Sequence, residues 1–316
     1  MENIQKRSLL GMTAALSGNI IFGFTFVFTK HILNAGMSAY ALLSWRLAIA
    51  NLTMLALAAC GVLKINFQGK KLLRLLPLGL CEPCLYFICE SIGIARTTAS
   101  ESGTIIALIP ICVLLFSRLI FKERHTTGQF AGVLLSVIGI ICVVSSGGLS
   151  ASFSASGYAC LFGAVIIAGF YNMGVRRLVS EFSSAEITFG TNILGLVFFV
   201  LLAGGEGMVK GHMSVMWLLP LREPLILLYV ILLAVGASAG AFMLIIYAIG
   251  KIGPTRCSSF AGFSTITSIL FGLIILSERM LPWQMAGAAL IIAGVWGANH
   301  FAPPIPPAPV NPAQGR

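Results

Sequence analysis

The chain has 316 residues, of which 58% are hydrophobic and only 9% are charged, and its mean hydropathy is +0.96. A soluble domain is nearer half apolar and a quarter charged, so this composition indicates an integral membrane protein. The net charge of +10 does not indicate a nucleic-acid-binding protein, because the basic residues lie in short loops between apolar runs and form no patch on a nucleic-acid-binding fold.

Ten apolar runs follow one another along the chain, and each has about the 20 residues that a membrane-spanning helix needs. They cover residues 9–29, 38–62, 72–95, 98–121, 127–146, 155–175, 185–204, 224–249, 254–276 and 281–301. Helices satisfy their backbone polar groups internally, whereas open-edged strands cannot do so in lipid. The predicted fold class is therefore an all-α membrane protein with ten transmembrane helices. After the last run, residues 302–316 form a proline-rich tail that is expected to be disordered.

The distribution of lysine and arginine predicts how the chain is oriented in the membrane. If the N-terminus lies in the cytoplasm, thirteen of these basic residues fall in cytoplasmic segments and five fall in outer segments. Cytoplasmic loops of membrane proteins carry the excess of basic residues. The prediction is a multi-pass protein of the cell (inner) membrane with both termini in the cytoplasm.

An internal repeat relates the two halves of the chain. The stretches KERHTTGQFAG (122–132) and SERMLPWQMAG (277–287) align at an offset of 155 residues and share a Glu-Arg pair, a glutamine and a glycine. Further matches upstream have an offset of 146 residues. The chain is therefore expected to contain two five-helix units, residues 1–150 and 151–301. Because five is odd, the second unit enters the membrane from the opposite side, which makes the pair an inverted repeat.

These features together resemble the drug/metabolite transporter superfamily, EamA-type. A Glu-Arg pair at the end of a span, followed by glutamine and glycine in a helix rich in small residues, occurs twice. Trp45-Arg46 in the second span is similar to the Arg-aromatic signature of that family, although Leu47 replaces the common phenylalanine. The resemblance implies a transporter with its binding site between the halves. It does not imply a substrate, because members move amino acids, sugars, cations and other metabolites.

Three glutamates stand in the third and fourth spans. Glu82, Tyr86 and Glu90 are spaced four residues apart and so lie on one face of the third span. A charge at the centre of a span costs about 2.5–3.5 kcal/mol on insertion scales, so these acids are expected to face protein or a water-filled cavity. Neighbouring carboxylates can share a proton or hold an organic cation. Glu101 is a third candidate for the coupling site. The structural alternative is a glutamate that pairs with Arg46 and only locks two helices together.

The acidic face belongs to one repeat only, because its counterparts in the second repeat are Ala237, Ala241 and Ile245. A feature of one repeat is more typical of a ligand site than of a shared scaffold. Aromatic and amide residues of the first and sixth spans could complete a box for a cation, or they could be ordinary packing. Arg46 could brace helices or bind a substrate carboxylate. The predicted substrate-binding residues are Glu82, Tyr86, Glu90, Arg46, Asn19, Phe22, Tyr171 and Asn172.

The sequence contains no hydrolase, metalloprotease or nucleotide-binding motif and no histidine pair for a metal, so it predicts neither an enzyme nor a bound cofactor or metal. The favoured hypothesis is a secondary transporter that exports small amino-acid-like or organic-cation metabolites in exchange for protons. Two alternatives stay open, an uncoupled facilitator of neutral or zwitterionic solutes and a flippase of lipids or glycolipids. The expected partners are the solute, protons and the lipid bilayer, and the question of a homodimer is left open.

Overall fold

The structure is a computed structural model. It describes residues 2–122, 126–147, 154–210, 213–258, 260–275 and 281–301. The described residues form helices joined by short connections, and no strand occurs among them. The Glu-Arg pairs at 123–124 and 278–279 and the proline-rich tail at 302–316 lie outside the described residues, so the predictions made for them are not addressed by the fold.

The helices of the described chain are numbered here in order. They are α1 (Glu2–Asn34), α2 (Ala39–Ala59), α3 (Leu72–Arg96), α4 (Ala99–Ile106), α5 (Ile109–Phe121), α6 (Thr127–Gly147), α7 (Ala155–Leu178), α8 (Ser184–Lys210), α9 (Met213–Arg222), α10 (Pro224–Ile252), α11 (Pro254–Ser258), α12 (Ala261–Ile275) and α13 (Pro282–His300).

Seven helical segments within the described residues are long and apolar enough to cross a membrane, and α4 with α5 counts as one of them. The all-helical membrane fold is thereby confirmed. The other three predicted runs coincide with α6, with α11 and α12, and with α13. The count of ten spans stays a prediction. The short helix α9 was not predicted, because Met213–Arg222 is too short and too polar at its end to resemble a span.

Two long helices depart from α-helical geometry at corresponding places in the two halves. In α3, the segment Leu80–Leu85 has a π-helical pattern, and Glu82 inside it has extended backbone dihedrals (φ −142°, ψ 120°). Pro83 has no backbone N–H to donate, so the helical hydrogen bonds are interrupted beside Glu82. In α10, the segment Leu232–Ala241 is also π-helical. Segments of this kind are frequent at functional sites, because they redirect carbonyl groups and side chains.

Helix packing follows the internal repeat. Helix α1 packs against α10 and α12, while α7 packs against α3 and α5. Helix α2 packs against α8, and α6 makes its most extensive contact with α13. Exchanging the two halves maps the contacts of α1 onto those of α7, because α1 corresponds to α7, α3 to α10, and α5 to α12. The α2–α8 and α6–α13 contacts each join corresponding helices and map onto themselves. The same faces are therefore buried in both halves.

The contact between α6 and α13 depends on glycine. Gly132 lies against Gly294, and Gly139 lies against Gly287. A Cβ atom added at Gly139 would be 2.6 Å from the carbonyl oxygen of Gly287 and 2.8 Å from the backbone nitrogen of Ile291. The contacts run in opposite directions along the two helices, so α6 and α13 are antiparallel. Close backbone approach at small residues is how helices associate in lipid, where no hydrophobic driving force acts between them.

The Gly139→Ala variant should be less stable than the wild-type protein, because two of the three nearest atoms that its methyl group would meet belong to backbone and cannot move cheaply. Overpacking of this kind costs about 1–3 kcal/mol. Gly204→Ala is the matched control, since a Cβ at Gly204 has no heavy atom within 4 Å. Thermal unfolding in detergent measures the effect. Equal melting temperatures for the two variants would contradict the prediction.

Candidate functional site

A cavity of about 90 Å³ lies between helices of both repeats, with room for several water molecules or a small solute. Its walls consist of Asn19, Phe22, Thr25, Phe26, Arg46, Glu82, Tyr86, Phe87, Glu90, Ile106, Ile109, Ala168, Tyr171, Asn172, Phe242, Ile245, Cys257, Ser258, Ala261 and Ser264. All eight residues that the sequence predicts for substrate binding are among them. The walls come from α1, α2, α3, α7 and α10, and further residues are contributed by α4, α5, α11 and α12.

A second groove of about 350 Å³ runs along the ends of α2 and α8. It is lined by Tyr40, Leu201, Leu202, Gly205, Glu206 and Val209. Its one acidic residue, Glu206, accepts a hydrogen bond from the hydroxyl of Ser38. The groove is otherwise apolar, so the cavity with its charged and hydrogen-bonding side chains is the candidate functional site.

Arg46 enters the cavity from α2 and is 3% exposed. Its Nε donates a hydrogen bond to the Oγ of Ser238, over 2.6 Å, and its guanidinium carbon lies 4.5 Å from the ring centroid of Phe87. Within the described residues, no nitrogen of Arg46 lies within 4.0 Å of a carboxylate oxygen of Glu82 or Glu90. The direct pair with a glutamate that the sequence left open is therefore not formed.

Glu90 and Tyr86 form a pair on α3. The hydroxyl of Tyr86 donates a hydrogen bond of 2.8 Å to the Oε1 of Glu90, as their spacing of four residues allows. Both side chains are buried, with 7% of Glu90 and 6% of Tyr86 exposed. A donor from tyrosine stabilises the ionised carboxylate without neutralising it. Arg46 is close enough for an electrostatic interaction with the same carboxylate.

Glu82 lies at the kink of α3, one turn away from Tyr86. It is as buried as Glu90, but no described residue donates a hydrogen bond to its carboxylate. Tyr171 lines the same cavity from α7, in the other repeat. The hydroxyl of Tyr171 is itself buried without a hydrogen-bond partner in the described chain. Two unpaired polar groups from different repeats therefore face the same space.

The amides of the first and sixth predicted spans have equivalent local geometry. Asn19 donates through Nδ2 to the carbonyl of Ala15, and Asn172 donates to the carbonyl of Ala168, over 2.8 Å each. These bonds use the NH2 group of each side-chain amide. Within the described chain, no donor reaches the side-chain carbonyl oxygen of either asparagine. Asparagine can therefore offer an acceptor to a solute in the cavity.

Aromatic rings form one wall around Phe242. Its ring centroid is 5.1 Å from that of Phe22, 5.9 Å from that of Phe87 and 6.5 Å from that of Tyr171, with all three pairs edge to face. The predicted residues Phe22 and Tyr171 are thus part of an aromatic cluster next to the carboxylates. Such a cluster packs the helices against one another, and the faces of its rings can also attract a cation.

Glu101 lies elsewhere and does not line the cavity. It forms a capping box with Thr98 at the start of α4, in which each side chain bonds the other residue's backbone N–H at 3.0 Å. Its Oε1 also accepts hydrogen bonds from the Tyr158 hydroxyl (2.9 Å) and from Nε2 of Gln284 (3.1 Å). Arg96, five residues before Glu101, donates instead to the hydroxyl of Ser156. Glu101 therefore connects the start of α4 to α7 and α13, which is a structural role.

Two residues next to the cavity were missed by sequence reasoning. Ser238 lies in the π-helical segment of α10 and is fully buried, and Asn192 on α8 is 4% exposed. Nδ2 of Asn192 donates to the backbone carbonyl of Ser238 over 2.9 Å. Asn192 stands 146 residues after Arg46, which is the offset of the repeat in this region. That offset was the one signal in the sequence that could have identified it.

The chain matches the EamA-like transporter family twice, over residues 9–145 and 155–299. Uncharacterized transporter YcxC of Bacillus subtilis is 30% identical over 291 residues, which are 90% of this chain and 91% of that protein. An uncharacterized transporter of Archaeoglobus fulgidus is 22% identical, over 82% of this chain and 88% of its own. A crystal structure of a protein that is 18% identical superposes with a TM-score of 0.63, covering 94% of this chain and 97% of that one, and shows similarity of fold.

The Glu101→Ala variant should unfold at a clearly lower temperature than wild type. It removes a helix cap and the two hydrogen bonds that Glu101 accepts from the buried donors of Tyr158 and Gln284, a combined loss of about 2–4 kcal/mol. Glu181→Ala is the control, because Glu181 is 42% exposed in its ion pair with Arg74 and such pairs contribute at most about 1 kcal/mol. Thermal unfolding in detergent compares the two. A Glu101→Ala protein as stable as Glu181→Ala would show that the hydrogen bonds of Glu101 do not stabilise the fold.

Proposed function

The chain belongs to the EamA-like transporter family, and from this premise we propose that it is a secondary transporter that exports small amino-acid-like or organic-cation metabolites in exchange for protons. The family and its named relatives are transporters and not enzymes. The observation that carries the proposal is the presence of two buried carboxylates, Glu82 and Glu90, in one cavity with a single arginine.

The proposed exchange follows from competition for the same carboxylates. A buried carboxylate needs a proton or another cation to offset its desolvation. When the cavity opens to the cytoplasm, a cationic group of the solute replaces the proton at Glu82 or Glu90. When it opens outward, a proton from outside displaces the solute. One proton then enters for each cationic group that leaves, and the proton gradient drives export.

The architecture proposed with this function is ten transmembrane helices in two inverted five-helix repeats, residues 1–150 and 151–301. It is supported by the double family match, by the exchange of packing partners between halves, and by the antiparallel contact of α6 with α13. Inverted repeats allow one site to face either side of the membrane by rocking of one half against the other. A small cavity lined from both repeats also favours a small solute over a lipid substrate.

The Glu90→Gln and Glu82→Gln variants should each abolish solute-driven proton movement while folding normally. Glutamine keeps the shape and hydrogen bonding of glutamate but cannot titrate. The measurement is internal pH, reported by a trapped dye in proteoliposomes, after addition of amino acids or quaternary amines. Glu181→Gln, on the exposed surface, should behave as wild type, and Glu101→Gln should change the pH profile much less than either cavity variant.

Normal transport with an unchanged pH profile in both cavity variants would overturn proton coupling and favour the uncoupled facilitator. The comparison is meaningful only if each variant elutes as a single folded species, so size-exclusion profiles accompany the measurement. Loss of folding in Glu90→Ala, together with full activity in Glu90→Gln, would assign that glutamate to the scaffold.

A membrane-impermeant maleimide should label Ala35→Cys but not Gln68→Cys on intact bacterial cells, in a background with the exposed Cys60 replaced by serine. Both positions are exposed, in the connections that follow α1 and α2. The proposed orientation places the first connection outside and the second in the cytoplasm. Labelling of Gln68→Cys alone would reverse the orientation.

A further inference from the structure

We propose that Arg46 forms a subsite for an anionic group of the substrate, and that Ser238 and Asn192 are the residues that position it. The transported solute is then a small zwitterion, with its cationic group at the carboxylates and its carboxylate at Arg46, and not a simple organic cation. This inference rests on the proposed function of the same cavity and selects one of the two solute classes named there.

The first step is the hydrogen bonding of Arg46. The guanidinium has five N–H donors in a fixed planar fork, of which only Nε–H is used, in the bond to Ser238. The guanidinium carbon lies over the ring of Phe87, 4.5 Å from its centroid. In the described chain, neither Nη nitrogen has an acceptor, although the side chain lines the cavity and is 3% exposed. The two Nη groups are therefore available to a ligand in the cavity, and a ligand carboxylate matches the remaining fork in two parallel hydrogen bonds.

The second step is the way in which the two repeats build this geometry. Arg46 on α2 and Asn192 on α8 occupy equivalent positions, and both bond to Ser238. Arg46 bonds its hydroxyl and Asn192 bonds its backbone carbonyl. The carbonyl lies in the π-helical segment of α10, where it accepts from a side chain of another helix. Asn192 thereby holds the backbone of Ser238, and the hydroxyl of Ser238 holds the guanidinium.

The third step is the charge of the cavity. Glu82, Glu90 and Arg46 together give a net charge of −1 when all are ionised, and Arg46 is in direct contact with neither acid. A simple cation offsets one carboxylate and leaves the unused donors of Arg46 without acceptors. A zwitterion provides counter-groups for one carboxylate and for Arg46, and because it adds no net charge, the remaining −1 is neutralised when the other carboxylate carries a proton. The cavity volume of about 90 Å³ limits the solute to a small one.

The test uses six matched pairs of probes that differ by one carboxylate. They are glycine and methylamine, alanine and ethylamine, serine and ethanolamine, cysteine and cysteamine, valine and isobutylamine, and leucine and isopentylamine. Dissociation constants for the purified full-length protein come from the ligand-dependent rise in melting temperature. At least one amino acid should bind about tenfold or more tightly than its amine, as expected for a charge-assisted bidentate pair. Equal affinities within every pair, or binding of none of the amino acids, would overturn the proposal.

Two variants distinguish a role in positioning Arg46 from a general loss of binding. Ser238→Ala should raise the dissociation constant of the preferred amino acid about tenfold and leave that of its amine unchanged. Asn192→Ala should change the same ratio in the same direction. Ser44→Ala is the matched control, because Ser44 is a buried serine on α2 that bonds only within its helix, to the carbonyl of Tyr40. A merely structural serine at 238 would weaken both probes of a pair equally, and that result would contradict the positioning role.

Arg46→Gln should bind the amino acid and its amine with the same affinity. If this variant does not fold, the selectivity of the wild type and of Ser238→Ala still decides the question. Failure of the anionic subsite would leave proton movement at Glu82 and Glu90 as measured. Loss of proton coupling, in turn, would leave the preference for amino acid over amine unaffected, so the two proposals fail separately.

Discussion

The cost of holding ionised side chains in a lipid-embedded bundle governs the arrangement of this protein. Hydrocarbon cannot solvate a charge, so ionisable groups in spans must face one another or a polar cavity. Arg46, Glu82 and Glu90 satisfy this requirement by lining one space between the repeats. They do so without closing into a direct ion pair, because Ser238 and Phe87 hold the guanidinium and Tyr86 bonds Glu90. Charges kept close but unpaired are available to a ligand.

The two repeats share a scaffold and differ in their chemistry. Exchanging the two halves turns the Gly132–Gly294 contact between α6 and α13 into the Gly139–Gly287 contact. It also turns the packing of α1 against α10 and α12 into that of α7 against α3 and α5. The site breaks this symmetry. Glu82 and Glu90 have Ala237 and Ile245 as counterparts, and Arg46 has Asn192. A symmetric scaffold provides two equivalent ways to pack, whereas a solute with distinct ends needs an asymmetric set of partners.

Glutamates close together in the sequence have different roles, because their surroundings differ. Glu101 is satisfied by its own helix start and by donors from α7 and α13, so no hydrogen-bonding capacity is directed at the cavity. Glu82 lies at a helix interruption, where no described donor reaches its carboxylate. The same residue type thus serves as a cap in one place and lines a cavity in the other.

The sequence by itself determined the membrane class, the two copies of the unit and the shared helical face of Tyr86 and Glu90. These follow from composition, the length of the apolar runs and residue spacing, which can be read along the chain without knowing which helices pack together. Only the tertiary structure decided that Glu101 lies outside the cavity and that Arg46 bonds Ser238, 192 residues away in the chain, and not a glutamate. Periodicity fixes which face of a helix is polar. It does not specify which distant helix packs against that face, because this depends on the contacts of the whole bundle.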